Sequence, residues 1–98
     1  MTDDKDKVQE KLEGAPPRGS RWRHYKGGFY RVITCSIEED TLEPLVTYRS
    51  EEKGGVWTRT LENWLEEVTV DVGATDPARV GKKVPRFVPV PLPFEGQP

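Results

Sequence analysis

Short runs in which apolar and polar residues alternate fill the middle of the chain. They lie at residues 21–26, 29–37, 45–49, 56–59 and 68–72. The first two runs meet at Gly27-Gly28, and glycine accepts the positive φ values of tight turns, so we predict a hairpin there. A second glycine pair, Gly54-Gly55, separates the third run from the fourth. The pattern therefore predicts about five short antiparallel strands.

One segment between the fourth and fifth runs has helical spacing instead. Thr60 can cap a short turn in which Leu61, Trp64 and Leu65 share one side. Strands of this length with one helical turn indicate a mainly β domain. Closure would remove sheet edges that so short a chain could not otherwise cover. We therefore expect a small SH3-like antiparallel β-barrel, with an open antiparallel sheet as the alternative.

The two ends of the chain differ from this central part. Residues 2–13 could form a helix, but few of them are apolar, and an isolated helix of this length is barely stable. Prolines in the segment 84–94 remove backbone donors and favour polyproline II. We predict a flexible arm at residues 1–20, a β-barrel domain at 21–88 and a mobile proline-rich tail at 89–98. Before this tail, we expect packing against the barrel from Val84, Phe87 and Val88.

Composition narrows the classes of function. A net charge of -2 and a pI near 5.4 argue against a general nucleic-acid coat protein. A single cysteine excludes an internal disulfide, and no apolar run approaches the ~20 residues of a membrane span. The first residues also lack the apolar region of a secretory signal. We expect a cytoplasmic protein with no membrane partner.

Charge is distributed unevenly along the chain. Residues 18–31 hold five Lys or Arg side chains and no acid, whereas residues 38–43 hold four acids and no base. If the strands carry these segments to different edges, one face is positive although the whole chain is acidic.

Signals for catalysis, metals and cofactors are weak. One histidine and one cysteine cannot build a zinc site, and no GxxxxGK[ST], GxGxxG or HExxH motif occurs. Cys35 with His24 could form a nucleophile–base pair. The position of Cys35 between Ile33 and Ile37 is better explained by a side chain that packs in the core. The acids at residues 38–40 are better explained as a solvated turn than as a metal site. We therefore expect no enzyme, no catalytic residue, no metal and no cofactor.

Aromatic and basic residues give the stronger candidate site. Aromatic faces can stack on bases, and arginine or lysine can meet phosphate or carboxylate. Many of the rings are also needed to fill so small a domain, and we expect about half of them in the core. Arg59 is the basic residue that we most expect to serve recognition. The predicted ligand-binding residues are His24, Lys26, Tyr30, Tyr48, Arg49, Trp57 and Arg59.

Four segments together carry a resemblance to a known family. They are WRHYKGGFYRV at 22–32, TLEPLVTYR at 41–49, WTRT at 57–60 and VPRF at 84–87. Over about residues 21–88 the chain resembles the bacterial family catalogued as Domain of Unknown Function 1653. The resemblance implies a compact β-barrel domain of bacterial cytoplasm, without an established activity or cofactor to transfer. Three positions depart from the family pattern: Trp22 replaces Tyr, Glu38 replaces His, and Thr60 replaces Pro. The loss of the His at position 38 weakens any two-histidine site, and the change at Thr60 affects the local turn.

Three classes of function follow from these observations. The leading one is a binding module that presents Arg59, Trp57, Lys26 and His24 to a nucleotide or a single-stranded nucleic acid. The second is a protein-interaction or accessory domain that uses the acidic turn or the proline-rich tail. The third, least favoured, is an enzyme built on Cys35 and His24.

Overall fold

An antiparallel sheet of five strands organises the chain. A computed structural model describes residues 10–71 and 80–92. The elements in chain order are β1 (Arg21–His24), β2 (Phe29–Ile37), β3 (Pro44–Ser50), β4 (Val56–Thr60), α1 (Leu61–Leu65), β5 (Glu67–Thr69), β6 (Lys83–Pro85) and β7 (Phe87–Val90). The predicted N-terminal arm up to residue 9, residues 72–79 and the predicted tail from residue 93 onwards lie outside the described residues.

The first four strands follow one another as a meander, and the last strand joins them at β1. The order across the sheet is β4-β3-β2-β1-β7. Gly27 and Gly28 make the turn between β1 and β2 with φ values of 100° and 88°, in the region that favours glycine. The register places Val32 opposite Tyr48 and Tyr48 opposite Trp57, so these side chains share one face of the sheet.

The C-terminal part of the fold differs from the prediction. The fifth strand, expected at 68–72, is the shorter β5, and it pairs with β6 in a separate two-stranded sheet. The expectation of polyproline II at 84–94 is wrong where this segment forms the end of β6 and the whole of β7. The prolines are tolerated because Pro85 ends its strand and Pro89 lies in an edge strand, where a backbone donor can be missing.

The five-stranded sheet curls around its own side chains. β4 and β7 are its two edges, yet the Arg59 guanidinium carbon on β4 lies 5.5 Å from the Phe87 ring centre on β7. The Phe87 ring also lies 5.8 Å from the Tyr48 ring on β3. We call the concave side the inner face and the convex side the outer face. A mainly β fold with a five-stranded antiparallel sheet and a short helix is thus confirmed.

Closure of this curled sheet into a barrel would require its two edge strands, β4 and β7, to pair with each other. Across the described residues, the strand pairings include no ladder between β4 and β7. The SH3-like barrel therefore stays a prediction. A register shift between Val32 and Thr34 marks a bulge in β2, and bulges increase the local twist that curls a sheet.

Helix α1 covers the opening between the two sheet edges. Trp64 is 1% exposed and stacks on Phe87, with ring centres 3.8 Å apart and planes within 8°. The Thr60 hydroxyl accepts a hydrogen bond from the Asn63 N–H (3.1 Å), which caps the helix as expected. Thr60 has φ -67°, a value that proline also adopts, so the departure from the family pattern preserves the turn. The core that results contains Val32, Val46, Tyr48, Leu61, Trp64 and Phe87.

Candidate ligand-binding site on the inner face

Most of the predicted site residues share the inner face. These are His24, Tyr30, Tyr48, Trp57 and Arg59, joined by ring contacts and by the strand register. Lys26 lies exposed in the turn between β1 and β2, beside His24. Arg49 does not join the group. It is adjacent to the buried Tyr48 on β3, so its exposed side chain lies on the outer face.

Arg59 is the charged centre of this face. Its Nε donates a hydrogen bond to the Tyr48 hydroxyl (2.7 Å), and its Nη1 donates to the Asn63 side-chain oxygen (2.5 Å). Both partners are neutral. Within residues 10–71 and 80–92, no carboxylate forms an ion pair with this half-buried guanidinium. A partly desolvated cation without a counter-ion is suited to receive an anion.

A second arginine shares Asn63 with Arg59 as a hydrogen-bond partner. Arg86 donates to the Asn63 backbone oxygen (3.1 Å) and forms an ion pair with Glu66. Burial, followed by the charges of Arg59, Arg86 and Lys26, lowers the pKa of His24 from 6.5 to about 4. The imidazole is therefore neutral at pH 7. Its Nδ1 accepts a hydrogen bond from the Lys26 N–H (3.2 Å), so the proton resides on Nε2 and makes that atom a donor.

The aromatic rings divide into core and surface. Tyr48 is 5% exposed and lies 5.6 Å from the Tyr30 ring, so these two rings belong to the packed interior. Trp57 is 47% exposed. Its ring lies across Gly55, where the Cβ of any other residue would overlap it. Trp57 is thus the predicted aromatic residue with a ring free to meet a ligand.

The structure adds residues that the sequence analysis missed. Asn63 orients Arg59 and comes one helical turn after it, a spacing that could have suggested the contact. Arg86 and Phe87 come from the segment interpreted as polyproline II. Their only sequence signal is the VPRF motif, which carries no chemistry by itself.

Among the described residues, the other candidate groups do not come together as a catalytic pair or as a metal site. The His24 N–H binds the Gly28 oxygen (3.1 Å), and Cys35 follows seven residues later along β2, about 20 Å of extended chain. Burial raises the pKa of the Cys35 thiol, whose sulfur donates to the Pro16 oxygen. Glu38 accepts from the Thr41 N–H (2.6 Å) in a solvated turn. The described part of the chain groups no three His, Cys, Asp or Glu side chains that could hold a metal ion.

The region also offers a shallow depression beside this site. It lies where β1 meets β7 and is lined by Arg23, His24, Tyr25, Pro85, Val88 and Val90.

In the segments that the structure describes, no helix is long and apolar enough to cross a bilayer.

Fold and site together define a small, mainly β domain with a cationic, aromatic inner face. The family model described as "Protein of unknown function (DUF1653)" matches residues 20–89, and the chain belongs to this family. A crystal structure of a family member from Bordetella bronchiseptica is 32% identical, covers 76% of this chain and 87% of its own, and superposes with a TM-score of 0.56. No significant match is found among curated proteins. The resemblance drawn from the four sequence segments is thereby confirmed.

Proposed function

We propose that this domain is a non-catalytic binding module for a nucleotide, held on the inner face between Arg59 and Trp57. One observation carries the proposal: Arg59 is half-buried, and among the described residues its hydrogen-bond partners are the neutral groups of Tyr48 and Asn63. A phosphate that replaced its missing counter-ion would make charge-assisted hydrogen bonds.

The position of Trp57 favours a nucleotide over a bare anion. Trp57 and Arg59 are two residues apart on β4, which places them on one face at a separation of about 7 Å. A base could stack on the exposed indole while its phosphate meets the guanidinium. The Lys26 ammonium extends the positive surface toward a second phosphate, and the neutral imidazole of His24 adds its Nε2–H as a hydrogen-bond donor.

Two further features belong to the same proposal. The curled sheet, with α1 across its opening, acts as an SH3-like barrel closed by side chains, which is supported by the approach of Arg59 to Phe87. The cytoplasm, where nucleotides are abundant, is the proposed location.

A second candidate is a protein-interaction domain that uses the acidic turn. One observation favours it: Leu42 is 44% exposed and has a φ of 61°, in the left-handed region that leucine rarely adopts. Lys11 donates to the Leu42 oxygen (2.8 Å), which holds this conformation from outside the turn.

A titration with ADP tests the nucleotide proposal. In ¹⁵N-labelled protein, ADP should shift the indole N–H of Trp57 and the side-chain amide of Asn63. Arg59→Gln should weaken binding about tenfold or more, because a charge-assisted contact is lost. Arg49→Gln is the matched control, since Arg49 lies on the outer face and should leave the affinity unchanged.

Trp57→Leu provides a second arm if Arg59→Gln disturbs the fold. It should weaken ADP binding but leave binding of inorganic phosphate unaltered. The absence of shifts at millimolar ADP would reject the proposal, as would equal losses in the Arg59 and Arg49 variants.

A further inference from the structure

A row of arginines crosses the outer face of the sheet. Arg21 on β1 is in register with Arg31 on β2, and Arg31 is in register with Arg49 on β3. Neighbouring strands are about 4.8 Å apart, so three guanidinium-bearing residues lie side by side. Like charges directly opposite one another destabilise a sheet, so the row needs partners that offset its repulsion. The Phe29 ring is one of them, because the Arg21 guanidinium carbon lies 4.0 Å from its centre.

Only part of this charge is neutralised. Glu51 bridges two of the arginines, with its Oε2 2.8 Å from the Nε of Arg21 and 2.8 Å from the Nε of Arg31. Arg49 is exposed, and so is Arg23, two residues after Arg21 on β1. Neither of these two forms an ion pair within the ranges that the structure describes. Among the described residues, four guanidiniums of the outer face are therefore ion-paired with one carboxylate, which leaves three net positive charges.

A row of hydroxyl groups runs beside the arginines. Thr34, Thr47 and Thr58 are in register on β2, β3 and β4, and the Thr47 and Thr58 hydroxyls lie 3.1 Å apart. Hydroxyl groups and guanidiniums are the side chains that contact phosphate oxygens in nucleic-acid complexes. They hold a backbone without reading its sequence.

We propose that the outer face binds the sugar–phosphate backbone of a single-stranded nucleic acid. The net charge of these rows is complementary to a polyphosphate. The face is convex, and a flexible single strand can follow it at a lower deformation cost than a duplex, whose persistence length is about 50 nm. An acidic protein segment would gain less, since protein interfaces depend on aromatic anchors in pockets, which the two rows lack. This surface is opposite the nucleotide site and does not depend on it.

The net charge sets the expected salt dependence. Three phosphate contacts on a single strand give a slope of log K against log salt of about -2.1. Affinity should then fall about twentyfold between 50 and 200 mM salt.

Fluorescence anisotropy with a labelled 12-nucleotide single strand tests the inference. An abasic 12-mer with the same backbone should bind equally well. The double variant Arg23→Gln/Arg49→Gln should reduce the slope to about -0.7. Glu51→Gln should tighten binding, because it removes the carboxylate that bridges Arg21 and Arg31. Lys83→Gln removes an exposed cation on the separate two-stranded sheet and should leave binding of the abasic strand unchanged.

Four results would overturn the inference. The first is an unchanged slope in the Arg23/Arg49 double variant. The second is loss of binding to the abasic strand, which would assign the contact to bases. The third is tighter binding of a 12-base-pair duplex. The fourth is equal competition by a poly-glutamate peptide, which would assign the face to an acidic protein.

Discussion

Lowering the pH from 7 to 5 should destabilise the fold through His24. The folded imidazole has a pKa of about 4, against 6.5 for an unperturbed histidine. Between these values the unfolded chain binds a proton that the folded chain does not. The free energy of unfolding therefore falls as the pH falls through this window, and the effect is absent above 6.5.

The magnitude follows from the two pKa values. Without screening, they correspond to a loss of about 1.8 kcal/mol between pH 7 and 5. Because His24 is only half-buried, solvent reduces the cost of its desolvation, which is the largest cause of the shift, and also its repulsion from Arg59, Arg86 and Lys26. We therefore expect a loss of about 1 kcal/mol. The pKa values of Glu38 and Glu51 are lowered from 4.5, so these carboxylates act mainly below pH 5. The chosen interval therefore isolates the histidine.

Urea unfolding of tag-free protein, followed by tryptophan fluorescence at both pH values, measures the loss. His24→Asn keeps an acceptor for the Lys26 N–H but does not titrate, so this variant should lose almost nothing. His24 is the single histidine of the chain, and its Hε1 resonance gives the pKa directly. A midpoint above 6, or equal losses in wild type and variant, would refute the reasoning.

Two further predictions concern stability. Phe87→Ala should reduce the free energy of unfolding by about 3–5 kcal/mol, because it empties the space between Trp64 and Tyr48. The neighbouring Val88→Ala, 43% exposed, should change it by less than about 0.5 kcal/mol in the same urea experiment, and similar effects of the two would contradict the packing of β7. Thr60→Ala should cost about 1 kcal/mol by removing the α1 cap, while Thr60→Ser should retain most of it. An Ala variant as stable as the Ser variant would exclude the cap as a source of stability.

Local signals in the sequence were sufficient for the first part of the fold. Gly27 and Gly28 require a turn, and the spacing of Leu61 and Trp64 requires a helical face. The pairing of β7 with β1 could not be predicted from the sequence. It depends on a contact between His24 and Phe87, far apart in the chain, and the prolines around Phe87 have the same composition as an extended tail.

The candidate site was predictable where strand alternation decides it. Trp57 and Arg59 have the same parity on β4 and so share a face, as expected. Tyr48 and Arg49 are adjacent on β3, so strand alternation places their side chains on opposite faces of the sheet. The neutral environment of Arg59 could not be predicted, because Asn63 reaches it only through the angle between β4 and α1.

The two edge strands of the main sheet, β7 and β4, differ in how readily they can pair with a strand of another chain. Pro89 lies in β7, with Pro85 before the strand and Pro91 after it. This edge strand therefore lacks the regular series of backbone N–H donors that an incoming strand would need. β4 contains no proline and exposes Val56 and Trp57. Any strand-to-strand association, including aggregation at high concentration, should therefore start at β4. The substitution Val56→Lys should suppress it, because a charged side chain on an edge strand opposes pairing.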